Sequence, residues 1–66
     1  MNLRINGKST TLPHPQTLEA YLASRNLDPA VVVIELNESI VPKDKWAQTL
    51  LAEGDSLEIV SFVGGG

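Results

Sequence analysis

Apolar and polar residues alternate from the first positions of the chain: Leu3 and Ile5 fall on one side, Asn2 and Arg4 on the other. That period of two is the mark of a half-buried strand. Asn6-Gly7 follows, a pair that tolerates positive φ at both positions, as a tight type I′ hairpin demands, so Lys8 to Leu12 reads as the return strand. Pro13-His14-Pro15 lacks two backbone N–H groups and resists helix before each proline, which makes it a connector. The period then changes. Leu18, Tyr21, Leu22 and Arg25 recur at helical spacing behind Thr17, a suitable N-cap, with Glu19 in the first turn where the helix dipole favours an anion. Asn26 suits a left-handed helix end, and Asp28-Pro29 stops any continuation past Leu27.

Val31 to Leu36 is rich in β-branched residues, with Val32, Ile34 and Leu36 alternating against Val31, Val33 and Glu35, and it predicts a largely buried strand. Asn37-Glu38-Ser39 is a turn, Ile40-Val41 a short strand stopped by Pro42, and Lys43 to Trp46 a single helical turn. Trp46 and Leu50 are expected to close the core. Gly54-Asp55 marks another turn, and Leu57 to Val63 the last strand, with Leu57, Ile59 and Ser61 on one face and Glu58, Val60 and Phe62 on the other. Strand, strand, helix, strand, short strand, strand describes an α+β domain with a mixed four- to five-stranded sheet and one helix across one face. This is the order of a β-grasp, or ubiquitin-like, arrangement, expected to occupy residues 1–63 and to leave residues 64–66 as a glycine tail.

The 66 residues carry no Cys and one His, which excludes disulfides, thiolate zinc and iron–sulfur sites and leaves His14 without companions for a metal site. Five Lys and Arg against eight Asp and Glu give a net charge of -3, with no basic run to neutralise phosphates, so nucleic acid is not an expected partner. The longest apolar run, Ala30 to Ile34, falls far short of a membrane span, and the reading is of a cytoplasmic protein with no membrane partner. With one His, no Cys and only a small core in which to enclose a pocket, the composition favours a binding or carrier module over a self-contained enzyme.

The most unusual feature is the end of the sequence, where the apolar strand runs through Phe62-Val63 into Gly64-Gly65-Gly66. Glycines lack Cβ and thread channels too narrow for other residues. A terminal carboxylate is a poor electrophile until its oxygen is converted to a leaving group, as an acyl-adenylate does. Taken alone, the three glycines are equally a frayed terminus. If Leu3, Ile5, Val32, Ile34, Leu36, Leu57 and Ile59 face the helix, Val33, Val60 and Phe62 lie on the opposite face and, with Val63, form an apolar docking patch beside the tail. His14, Lys43 and Lys45 read as solvated residues, as do Glu53, Asp55 and Glu58, and Trp46 as core.

Several separated motifs, in one order, carry a resemblance. Asn6-Gly7, Leu36-Asn37 leading to Ile40-Val41-Pro42 and Trp46, Gly54-Asp55, Glu58-Ile59-Val60 and Val63-Gly64-Gly65-Gly66 together resemble the ThiS family, sulfur carriers of thiamin thiazole biosynthesis, over nearly the whole chain. Two positions depart from the family pattern: Glu38 stands where Gly is usual, and Lys43 where Arg is usual. The resemblance implies a protein co-substrate, not an enzyme, that is monomeric when free and binds no cofactor or metal of its own. It implies that a ThiF-like adenylyltransferase uses Mg-ATP to adenylate the Gly66 carboxylate, with Gly64 and Gly65 inserted into the partner's active site. Sulfur from a cysteine desulfurase route then makes a thiocarboxylate, which a ThiG-like thiazole synthase consumes. The alternatives are a sibling carrier or modifier, like the molybdopterin-synthase small subunit, and a non-catalytic β-grasp binding module.

Overall fold

The computed structural model describes residues 1–62. Strand β1 (Asn2–Ile5) turns through Asn6-Gly7 into β2 (Lys8–Thr11), and the positive φ of both turn residues, 52° and 80°, is the geometry that hairpin requires. Helix α1 (Leu18–Ser24) begins where the Thr17 side chain accepts the Ala20 N–H at 3.1 Å, and it ends before Asn26, which takes a φ of 57°. A 3₁₀ turn at Pro29–Val31 leads into β3 (Val32–Leu36). The Asn37-Glu38 turn leads on to β4 (Ser39–Ile40), a second 3₁₀ segment covers Lys43–Gln48, and β5 (Ser56–Ser61) completes the sheet.

The five strands lie in the order β2-β1-β5-β3-β4. The last strand therefore runs through the middle, parallel to β1 and antiparallel to β3. The core sits between one face of this sheet and α1: Leu3 and Ile5 from β1, Val32 and Ile34 from β3 and Leu57 from β5 meet Leu18, Tyr21 and Leu22. Leu12, Trp46 and Leu51 complete it, and Leu36 and Ile59 pack against its edge. Full burial of each such side chain is worth about 1.5–3 kcal/mol, the main stabilising term open to a chain without cross-links. Trp46 also donates its indole N–H to the Val41 carbonyl at 2.8 Å, so its polar atom is satisfied inside the core.

Leu50 is not a core residue. It is 62% exposed, and Leu51 at 2% takes the expected place. Leu50 turns outward because the 3₁₀ segment stops at Gln48 and the chain becomes extended, pairing Thr17 with Leu50 in an isolated bridge and donating the Leu51 N–H to the Gln16 carbonyl. Extended backbone sends neighbouring side chains to opposite faces. Smaller differences have similar causes. Val31 belongs to the 3₁₀ turn that Asp28 caps through the Ala30 N–H, not to β3. The short strand is Ser39–Ile40, one residue earlier than Ile40-Val41, and the expected turn at Lys43 to Trp46 runs on to Gln48. The final strand begins at Ser56 and ends at Ser61, and Val63 lies outside the described residues.

Candidate functional site

The far end of β5 is the part of the sheet that precedes the glycine run in the sequence. Its pairing with β3 sets Val60 opposite Val33 and Glu58 opposite Glu35, and residues directly opposite in an antiparallel pair share a face. With Leu57 buried against the helix, that shared face is the outer one. The ladder extends one residue beyond the strand, because Phe62 donates its N–H to the Val31 carbonyl at 2.7 Å. Phe62 thus has an anchored backbone and a side chain 56% exposed, while Val60 is 47% exposed and Val33 half-buried. Val63, Gly64, Gly65 and Gly66 lie outside the described residues.

Two further apolar residues stand exposed near this strip: Val31, beside the Phe62 backbone, and Ile40, paired to Glu35 across β3 and β4. The alternation of β3 residues signals Val31, whereas Ile40 depends on a cross-strand register that no local pattern contains. Next to this strip, toward the start of β5, come the two carboxylates of Glu35 and Glu58 on directly opposed positions. The outer face of the β3–β5 pair is accordingly acidic at one end and apolar at the end nearest the glycines.

The other sequence candidates have structural employment or none. Asp55 accepts the Ala52 N–H at 2.7 Å and the Asn37 side-chain amide at 3.0 Å, which ties one turn to the other. Glu53 accepts the Asn2 N–H at 2.9 Å. His14 is exposed, with Nδ1 3.2 Å from the Pro15 carbonyl. Lys43 and Lys45 are exposed on the second 3₁₀ segment. A polar depression of about 440 Å³ lies over Asn2, Arg4, Ser9, Thr11 and Glu53, but the Thr11 hydroxyl and the Glu53 carboxylate are both engaged by Asn2 at 2.9 Å. An apolar groove of about 280 Å³ lies between α1 and Trp46. Among the described residues no group of three or more His, Asp or Glu is placed to hold a metal ion, and no helix is long and apolar enough to cross a membrane.

A mixed five-stranded sheet with the last strand at its centre, parallel to the first, and one helix packed across one face defines a β-grasp protein of the ubiquitin-like class. The ThiS family model matches residues 3–66. The sulfur carrier protein ThiS of Bacillus subtilis is 37% identical over 97% of this chain and 98% of its own length. A thiazole synthase of Paramagnetospirillum magneticum is 44% identical over the whole chain, which spans 20% of that protein's length. The crystal structure of the thiamine biosynthesis protein ThiS from Geobacter metallireducens superposes over the full length of both chains with a TM-score of 0.86 and 29% identity. The chain belongs to the ThiS family.

Proposed function

We propose that this chain, a sulfur carrier protein of thiamine biosynthesis and not an enzyme, acts as a protein co-substrate through the carboxylate of Gly66. The observation that carries the reading is the placement of Val60 and Phe62, exposed at the anchored end of the strand that precedes Val63-Gly64-Gly65-Gly66 in the sequence, in a member of this family. In the proposed cycle the β-grasp domain, residues 1–63, is the handle and residues 64–66 the tail. A ThiF-like adenylyltransferase binds Val33, Val60, Phe62 and Val63 and threads the glycines into its active site. A carboxylate oxygen of Gly66 attacks the α-phosphorus of Mg-ATP and pyrophosphate leaves. A persulfide generated by a cysteine desulfurase then attacks the acyl carbon through its outer sulfur and AMP leaves; a thiol cleaves the resulting acyl disulfide, forming a disulfide with the donor's inner sulfur, so that a thiocarboxylate remains on Gly66.

The thiocarboxylate sulfur is consumed at a ThiG-like thiazole synthase, and the carboxylate is restored. A protein named thiazole synthase that contains a segment 44% identical to this chain supports that acceptor. The carrier is a cytoplasmic protein, monomeric when free, and leaves nucleotide, sulfur and catalytic side chains to its partners. Intact-protein mass spectrometry after incubation with the adenylyltransferase, Mg-ATP and a sulfur source tests the cycle. One oxygen replaced by sulfur at Gly66, only with ATP present, is the expected result. An unchanged mass with an enzyme active on another carrier would overturn it, as would ATP-dependent product from a chain lacking Gly66.

A further inference from the structure

β5 is longer than the strand beside it, and the excess lies next to the glycine run. Its pairing with β1 ends at Ile5 and Leu57, whereas its pairing with β3 continues to Ser61 and, through Phe62, to Val31. Backbone groups along a strand alternate between its two neighbours. The hydrogen bonds Asn37 N–H to Ser56 carbonyl and Phe62 N–H to Val31 carbonyl show that Ser56, Glu58, Val60 and Phe62 turn their backbone groups to β3. The intervening residues Leu57, Ile59 and Ser61 turn theirs to the β1 side. There the Asn6 N–H reaches the Leu57 carbonyl at 2.8 Å, and the Asn6 side chain accepts the Ile59 N–H at 2.7 Å. Beyond that point the hairpin has turned away. The Ile59 carbonyl and the N–H and carbonyl of the exposed Ser61 face outward with no strand opposite them among the described residues.

We infer that this open stretch of β5 is a docking edge, and that an extended segment of the ThiF-like adenylyltransferase pairs with Ile59 and Ser61 as an added strand. The inference rests on the carrier reading above and adds the mode of recognition. Unpaired groups in a donor and acceptor row fit an extended backbone, the arrangement that β-strand addition uses, with alternate side chains supplying specificity. Here those side chains are Val60 and Phe62, exposed on the outer face beside the same edge. Main-chain pairing at Ser61 also sets the direction in which the following residues run along the partner. A second copy of this chain is a poor occupant. Each copy carries a net charge of -3, so two copies repel, whereas the charge of an enzyme partner is not fixed to match.

Amide hydrogen exchange on the full chain, read by NMR alone and with the adenylyltransferase and Mg-ATP, tests the edge. In the free chain the Ser61 amide should exchange rapidly while the Phe62 amide, held by Val31, is protected; in the complex Ser61 exchange should slow by at least ~10-fold. Ser61→Pro deletes an N–H that the β3 ladder does not use, so it should leave the unfolding midpoint close to that of the parent and weaken complex formation by ~10-fold or more. Val60→Pro deletes a β3-facing N–H and should destabilise the fold. If Ser61→Pro fails to fold, the exchange of the parent chain still decides. Unchanged Ser61 exchange in a complex that adenylates Gly66 overturns the edge and leaves the carrier standing. Concentration-dependent protection in the free chain gives the edge to a second copy and also overturns it. If the parent chain is not adenylated at all, the carrier reading fails and the edge falls with it.

Discussion

The side-chain oxygen of Asn6 accepts the backbone N–H of Ile59 at 2.7 Å, across 53 positions of sequence. Asn6 is a turn residue with a φ of 52°, and its amide stands in for the next residue of β1, satisfying a β5 donor that the turning hairpin would otherwise abandon. Asn6→Gly keeps the turn geometry and removes the acceptor, and should cost about 1 kcal/mol in urea unfolding. Asn6→Asp keeps an acceptor and should remain close to the parent.

Glu38 occupies the second left-handed position of its turn with a φ of 71°. A side chain there costs about 1–2 kcal/mol, more than the roughly 0.5–1 kcal/mol of chain entropy that glycine adds to the unfolded state. Glu38→Gly should therefore stabilise the domain, and Tm should rise by a few degrees. Gly54 provides the opposite case, because a Cβ there meets nothing within 4 Å but its φ is 83°. Gly54→Ala should lower Tm through backbone strain alone.

Glu35 and Glu58 oppose each other directly in the β3–β5 register. Like charges in that relation repel, and relief of the repulsion is worth a few tenths of a kcal/mol up to about 1 kcal/mol. Glu58→Gln should raise the midpoint of thermal unfolding at low salt, with the gain shrinking as salt is added. An equal gain at all ionic strengths would assign the effect to something other than charge.

Leu50 and Leu51 are adjacent and chemically identical, yet one is 62% and the other 2% exposed. Leu51→Ala should cost about 2–5 kcal/mol and Leu50→Ala no more than about 0.5 kcal/mol. Denaturant unfolding of the two variants side by side measures the contrast, and comparable losses would place Leu50 in the core after all.

Phe62 is exposed at the end of the β3 ladder. Phe62→Asp should leave the melting curve nearly unchanged and weaken binding to the adenylyltransferase by ~10-fold or more, as loss of an interface anchor does. A large drop in Tm would show instead that Phe62 supports the fold.

Much of this molecule is legible in short stretches of its sequence. The Asn6-Gly7 turn and the Thr17 cap follow from one or two residues, because positive φ and unsatisfied helix N–H groups are local demands met by local side chains. The faces of β3 and β5 follow from alternation, which by itself puts Val33, Val60 and Phe62 on the face opposite Leu57. The exposure of Ile40 and the service of Asn6 to Ile59 carry no such signal, since each depends on a register between segments distant in the chain.

The sequence by itself thus determined the elements, their inward faces and the glycine run, since sterics, capping and periodicity act over a few residues. Tertiary structure alone decided that β5 lies between β1 and β3, that it outruns β1 to leave Ser61 facing outward, and that Leu51 rather than Leu50 is buried. Those outcomes are set by which hydrogen-bonding edges and apolar surfaces meet when the chain collapses, a competition among residues up to 53 positions apart.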